Sequence, residues 1–344
     1  MKIAVMSFAH GHAEGYVKHL QSRPGVELLT ADPGPYPPGE LRGRRLADEL
    51  GVAYVDDYEE LLAWGPDAVV VTSENSRHRQ HVEMAAAAGA DILCEKPLAT
   101  TWEDGLAMRE AVSRHGVRLM MAFPVRFAST FTRLRHDHDA GLLGRVFAIR
   151  GANNGMLPTA RSWFTEPELS GGGALVDHVV HIADLIDALT GAAATRVTAT
   201  TNRTLHAHRA RAETAGLVTI EYADGVAAAI DCSWSEADTS PVWGNVKLSV
   251  AGTSGNVDID FFGPAVRGLN SATGTPLVRR YGQDFDEAML TSFLHALRTG
   301  EPMEPSIDVG LRTLAIVVAA QESARTGRTV EVHPLNWGHV GAPS

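Results

Sequence analysis

Gly89-Ala90-Asp91-Ile92-Leu93-Cys94-Glu95-Lys96-Pro97-Leu98 is an apolar run that stops abruptly on Glu-Lys-Pro. Thr100 follows, with Glu103 three residues on, a capping-box spacing that opens a helix. The stretch predicts a buried strand, a turn and a helix. Lys96 then stands just past the carboxyl end of the strand, where ligands bind in an open α/β sheet. Pro97 fixes the backbone beside it. A lysine in that place suits a proton donor; the plainer alternative is a surface lysine in a strand-to-helix loop.

The same alternation extends to either side. Ile3–Met6 reads as a buried parallel strand. It runs into Ser7-Phe8-Ala9-His10-Gly11-His12 and then a helical stretch towards Leu20. A dinucleotide-binding protein carries G-x-G-x-x-G at this turn; here Ser7, Ala9 and His12 stand at the three glycine positions. The small residues Ser7, Ala9 and Gly11 still let a pyrophosphate approach the helix amino end. Val26–Asp32 reads as the next strand, and Asp32 falls roughly 20 residues beyond the turn, the spacing of an acid that bonds the adenosine ribose. Asp-Pro-Gly is equally good turn chemistry. Pro33–Gly39 is too rigid and glycine-broken for a helix. Arg42, Arg44 and Arg45 come next and fit either a 2′-phosphate or a solvated helix face; with Asp32 present, NAD is favoured over NADP.

A helix to about Leu50 and another over Tyr58–Leu62 lead to Ala68-Val69-Val70-Val71-Thr72-Ser73, an apolar, β-branched run expected of a central parallel strand. Glu74-Asn75-Ser76-Arg77-His78 follows at its carboxyl end. Asn75 or Ser76 suits a helix cap. The same loop would lie against the nicotinamide half of a cofactor, which makes Thr72, Ser73, Asn75 and His78 candidate contacts. After the Thr101–His115 helix comes a strand at Arg118–Ala122. Repeated β-α units imply a doubly wound parallel sheet, a Rossmann domain over residues 1–122.

From Phe123 the texture changes. Phe131–Gly141 reads as a helix and Val146–Asn153 as a strand. Ser170-Gly171-Gly172-Gly173 then precedes an almost wholly apolar helical stretch in which Asp177 and His181, four apart, share a face. A carboxylate beside an imidazole orients it and raises its basicity, as a general acid–base needs. His178 is a rival partner. Strands at Arg196–Thr204, Leu217–Tyr222, Val226–Ser233, Val246–Ala251, Asn256–Phe261 and Leu277–Arg280 are followed by helices at Asp284–Arg298 and Asp308–Arg325 and a last strand at Thr329–Val332. Residues 123–344 are thus an α+β domain with a large open, mostly antiparallel sheet. One face of that sheet is free for a homodimer or homotetramer contact.

The 344 residues allow two domains of roughly 150 each. A net charge of -11 argues against non-specific nucleic-acid binding and against an anionic membrane. Two cysteines, Cys94 and Cys232, imply no disulfide framework. No apolar run of about 18 residues is present and no charged leader precedes the first strand, so a cytoplasmic enzyme is expected. His136-Asp137-His138-Asp139 resembles a chelating tract but fits a polar helix end better, and no metal is expected.

Taken with Asn75-Ser76-Arg77-His78, the motifs Cys94–Leu98 and Ser170–His181 make the chain, from Lys2 to about Val332, resemble the glucose–fructose oxidoreductase, inositol dehydrogenase and rhizopine-catabolism (Gfo/Idh/MocA) family. The resemblance implies a Rossmann domain, a carboxyl-terminal domain with a large open sheet, and NAD(P)-dependent oxidation or reduction of a sugar, sugar derivative or cyclitol. It implies Lys96 as the catalytic lysine and Asp177 with His181 as the acid–base pair. Glu95 and Lys96 would touch the nicotinamide ribose, Ser7, Ala9, His10, Gly11 and His12 the pyrophosphate, and Asp32 the adenosine ribose. Arg126, Asn153, Arg161, Trp163 and His178 are candidate substrate contacts. Ser7 and Ala9 in place of glycines, Glu74 in place of a proline, and the proline-rich insertion depart from the family pattern. A redox-neutral enzyme that retains NAD and a non-catalytic NAD(P)-binding sensor stay open as alternatives.

Overall fold

A computed structural model describes residues 1–334. In the first part β1 (Lys2–Met6), α1 (His12–Gln21), β2 (Glu27–Ala31), α2 (Gly43–Leu50), β3 (Ala53–Val55) and α3 (Tyr58–Ala63) follow in turn. Next come β4 (Ala68–Val71), α4 (His78–Ala87), β5 (Asp91–Cys94), α5 (Trp102–His115) and β6 (Leu119–Met121). The six strands form one parallel sheet in the order β3-β2-β1-β4-β5-β6. This is the doubly wound arrangement, and its switch point lies between β1 and β4. The apolar run of β4 has a direct cause: Val69 and Val71 enter one core while Ala68 and Val70 enter the core on the other face.

The second part contains α6 (Ser129–Asp139), β7 (Val146–Met156), α7 (Pro167–Ser170), α8 (Ala174–Thr190), β8 (Ala194–Asn202), β9 (Ala215–Tyr222) and β10 (Ala227–Glu236). It continues through β11 (Gly244–Gly252), β12 (Asn256–Asp260), β13 (Ala265–Asn270), β14 (Thr275–Arg280), α9 (Phe285–Thr299), α10 (Ile307–Thr326) and β15 (Val330–Glu331). Seven strands make a sheet in the order β12-β11-β7-β10-β9-β8-β15. All its pairs are antiparallel except β7 with β10, which are parallel. In β9 the period of two is clear: Val218, Ile220 and Tyr222 are buried while Leu217, Thr219 and Glu221 are exposed. α8 and α10 cover the buried face, and both contribute to the same core as β9.

Several local expectations are corrected. The cap of α5 is Thr101, not Thr100, and its hydroxyl accepts from the Asp104 N–H at 3.1 Å. The spacing of three is kept but slides by one residue, because the chain leaves extended geometry at Thr101. Asn75 does not cap α4; its side-chain amide donates to the Ser170 carbonyl at 2.8 Å and ties the first part of the chain to the second. The short edge strand β3 was not expected. Leu277–Arg280 is one arm of a separate hairpin, β13 with β14.

α9 lies after the second sheet in sequence but packs against the first. Met289, Leu290, Phe293 and Leu294 share a core with Ile3, Val5, Tyr16 and Val17. The chain therefore returns to the sheet it began with. Residues 335–344, the far end of the expected second domain, lie outside the described residues.

Candidate active site

Lys96 follows β5, the sheet's fifth strand in order, and its amine reaches across to the first turn of α8. Nζ donates to Asp177 Oδ1 at 2.6 Å and to the Asp177 carbonyl at 3.3 Å. The other carboxylate oxygen, Oδ2, accepts from the Trp234 indole N–H at 3.1 Å and lies 3.1 Å from His178 Nε2. Asp177 thus joins Lys96, His178 and Trp234 into one buried cluster. Burial by itself would raise the Asp177 carboxyl, but Lys96 and His178 hold it well below the usual carboxylate range.

The turn before α8 fixes this placement. Gly171 has φ +80 and caps α7 in the left-handed region. A Cβ on Gly173 would overlap the Glu213 carbonyl oxygen. Glu213 Oε1 accepts from the Gly173 N–H at 2.7 Å and the Leu175 N–H at 3.2 Å, a carboxylate set on the amino end of the helix. Only a chain without side chains passes close enough to Glu213 for that.

His181 lies one turn further along α8, where the cleft opens. Its ring meets Phe123 edge-on with centroids 6.2 Å apart. Burial first, and Lys96 second, push its pKa well below the ordinary imidazole value, so the ring is neutral and able to accept a proton. The i, i+4 expectation paired Asp177 with His181. The structure instead has the Asp177 carboxylate accept hydrogen bonds from Lys96 and Trp234 with His178 Nε2 3.1 Å away, and His181 stands beside the cluster with Nδ1 unpartnered.

The cleft has a volume of about 1030 Å³ and runs from the turn at His10, Gly11 and His12 past Lys96 to Asn153, Arg161 and His178. Ser7, at the first glycine position, holds φ +78. Its hydroxyl stabilises that conformation by accepting from the Ala9 N–H at 3.1 Å and donating to Asp32 Oδ1 at 3.0 Å. Gly11 has open space around it at the amino end of α1, and His10 Nε2 is buried without a partner on the cleft wall. Both features fit a dinucleotide lying across this turn. His10, His12 and Glu95 bring their ligating atoms within 4.8 Å of one another. Glu95 is already engaged: Oε1 lies 2.9 Å from His12 Nδ1 and accepts from the Tyr16 hydroxyl at 2.7 Å, and Oε2 accepts from the Lys96 N–H. Against burial, His10, His12 and Lys96 hold its carboxyl well below the usual range. Burial lowers His10 to about 3, whereas for His12 the Glu95 carboxylate outweighs burial and raises the pKa.

Most of the other expected contacts are held by protein neighbours. Arg126 does not line the cleft; it pairs with Asp184 on the far turns of α8, Nη2 to Oδ1 at 2.5 Å. His78 is fully buried under the lysine turn, with Nδ1 2.8 Å from the Pro97 carbonyl. Thr72 donates to the Ser7 carbonyl at 2.7 Å, and Ser73 is buried beside it. Trp163 donates its indole N–H to the Ala9 carbonyl at 2.9 Å, so it braces the turn. Asp32 is fully buried, with both oxygens bonded by protein groups. His136 and His138 sit at the end of α6 away from the cleft. Trp234 and Glu213 escaped the sequence reading. Alternation along β10, which buries Ala228, Ile230, Cys232 and Trp234 on one face, was the available signal for the tryptophan.

Two family models match the chain. Residues 34–123 match the oxidoreductase family with an NAD-binding Rossmann fold, and residues 131–258 match the GFO/IDH/MocA C-terminal domain. The chain belongs to the Gfo/Idh/MocA oxidoreductase family. This membership accounts for the two-part fold and makes NAD the cofactor of the first sheet. Among family members, scyllo-inositol 2-dehydrogenase (NAD(+)) of Bacillus subtilis is 28% identical over 93% of this chain and 92% of its own length. Myo-inositol dehydrogenase Hyg17 of Streptomyces leeuwenhoekii is 29% identical over 93% of this chain and 96% of its own. The solved structure of GenD2 from gentamicin A biosynthesis, in complex with NAD, superposes with a TM-score of 0.86 at 27% identity and covers 97% of both chains. No helix among the described residues is long and apolar enough to cross a membrane.

Proposed function

We propose that the protein oxidises a secondary alcohol of a sugar, sugar derivative or cyclitol, or reduces the matching ketone, with Lys96, Asp177 and His181 as its acid–base machinery. The observation that carries this reading is the 2.6 Å contact between Lys96 Nζ and Asp177 Oδ1 on a cleft wall shared with neutral His181. The two inositol dehydrogenases, similar along nearly the whole chain, support the substrate class.

When bound, the nicotinamide supplies the hydride acceptor or donor. His10, Gly11 and His12 would hold the pyrophosphate at the amino end of α1, and Glu95 with Lys96 the nicotinamide ribose. His181 takes the hydroxyl proton of the alcohol, because its imidazole is neutral. Lys96 donates a hydrogen bond to the reacting oxygen and offsets its developing negative charge. Asp177 holds the Lys96 amine in place and compensates its charge. Asn153, Arg161 and His178 lie along the cleft where the other hydroxyls of a ring would rest. Residues 1–122 would serve the cofactor and 123–344 the substrate. The open face of the second sheet, with Phe147 and Leu217 exposed, would meet a second copy of the chain.

The test is incubation with NAD⁺ and a panel of inositols, aldoses and glycosides, with NADH and products both measured. NADH formed in equal amount with a ketone supports the proposal. Cleaved or eliminated product without net NADH would replace it with the redox-neutral alternative.

A further inference from the structure

The proline-rich segment after β2 folds back over Asp32. Tyr36 donates its hydroxyl to the Asp32 carbonyl, and its ring centre lies 5.1 Å from the Arg42 guanidinium carbon. Arg42 is buried here among carboxylates. Its Nε donates to Asp32 Oδ2 at 3.0 Å, Nη2 to Asp32 Oδ1 at 2.8 Å and Nη1 to Glu74 Oε1 at 3.0 Å. Glu40 Oε2 lies 3.9 Å from Nη1. Arg77, more than half exposed, lies 3.6 Å from the other oxygen of Glu74. Asp32 also accepts from the Ser7 hydroxyl and from the Gly43 N–H.

The carboxyl end of β2 is where a Rossmann sheet receives the adenosine ribose. A ribose diol offers two hydroxyl donors to one carboxylate. On Asp32 they would replace the two donors of Arg42, and the guanidinium would then need another anion. Glu74 already supplies one from the opposite loop, after β4. A 2′-phosphate needs the reverse arrangement, with a free guanidinium facing it and no carboxylate beside it. Here Glu40 and Glu74 flank the one arginine that forms an ion pair with Asp32 among the described residues.

We propose that Glu74 selects NAD over NADP by keeping the Arg42 guanidinium paired and so unavailable to a 2′-phosphate. The proposal explains the departure of Glu74 from proline: its carboxylate serves the adenosine end of the site, not the nicotinamide loop. It rests on the reading of this end of the sheet as the adenosine subsite.

The experiment is equilibrium binding of NADH and NADPH to the wild-type protein, Glu74→Gln, Glu74→Ala and the Glu74→Ala/Arg42→Ala double variant, read by calorimetry. Wild type should bind NADH at least about tenfold more tightly than NADPH. Both Glu74 variants should gain affinity for NADPH by about tenfold, and the double variant should lose that gain, because the freed guanidinium is the new phosphate ligand. Equal binding of the two dinucleotides by wild type, or an unchanged ratio in both Glu74 variants, overturns the selection role while leaving the subsite in place. Failure of wild type to bind either one overturns the subsite itself, and the selection role with it.

Discussion

Trp234 donates its indole N–H to Asp177 Oδ2 at 3.1 Å, while Lys96 donates to Oδ1 at 2.6 Å. The carboxylate is gripped from β10 on one side and from the end of β5 on the other. Trp234→Phe keeps the packing and removes one donor to a charged acceptor, a loss of about 1.5–3 kcal/mol. We expect kcat to fall roughly 10- to 100-fold with little change in KM, and the acid limb of the rate profile to move to higher pH because Asp177 becomes easier to protonate. A full pH profile of the variant checks both. A role in packing alone would leave the acid limb where it was.

Gly173→Ala should be among the most damaging small substitutions in the chain. The added methyl overlaps the backbone carbonyl of Glu213, which cannot swing aside as a side chain does. The Glu213 contacts to the Gly173 and Leu175 N–H groups would open with it. A cost of about 3 kcal/mol or more is expected, read as a lower urea midpoint.

Acid should destabilise the fold from about pH 6.5 downward. His81 is buried against Tyr58, and burial lowers it to about 3 in the folded state from 6.5. The unfolded chain then binds the proton that the folded chain refuses. Stability is therefore full above pH 6.5 and falls as the pH drops towards 3. His10 is lowered to about 3 in the same way. Between pH 6.5 and 5 each such histidine would cost on the order of 2 kcal/mol. Thermal melts at pH 7, 6 and 5 should show a falling Tm, and His81→Phe should flatten that slope. A Tm independent of pH over this range would contradict the account.

Asn75→Ala removes the amide that donates to the Ser170 carbonyl, the buried hydrogen bond between the loop after β4 and the end of α7. We expect a loss of about 1–2 kcal/mol in stability and a weaker hold on the glycine turn that sets Asp177. Denaturant titration beside kcat measures the two together; a change in neither would show the contact to be idle.

Much of the fold was legible because periodicity reports burial directly. β4 is apolar on both faces because it has a core on each, and the glycine run before α8 marks a chain passing hard against Glu213. That Lys96, Asp177 and His181 face one cleft was legible because the family motifs bracket them. Partner choice was not legible. A spacing of four placed Asp177 beside His181, yet the carboxylate turns to Lys96, His178 and Trp234, two of which come from outside its helix. Arg126 looked like a cleft residue by position, but it pairs with Asp184 and does not line the cleft. The engagement of Asp32 by Arg42, and of Arg42 by Glu74, depends on two loops folding together, and local sequence carries no record of that.

The most direct test of the central claim is a paired measurement on Lys96→Ala. Turnover is followed with the best alcohol found for the wild type and NAD⁺, and NADH binding is measured on the same preparation. If Lys96 donates the hydrogen bond that offsets charge on the reacting oxygen, turnover should drop by roughly 10²–10⁴-fold while NADH affinity changes only a few-fold. Turnover within about fivefold of the wild type would contradict that role and move the acid–base chemistry away from the end of β5.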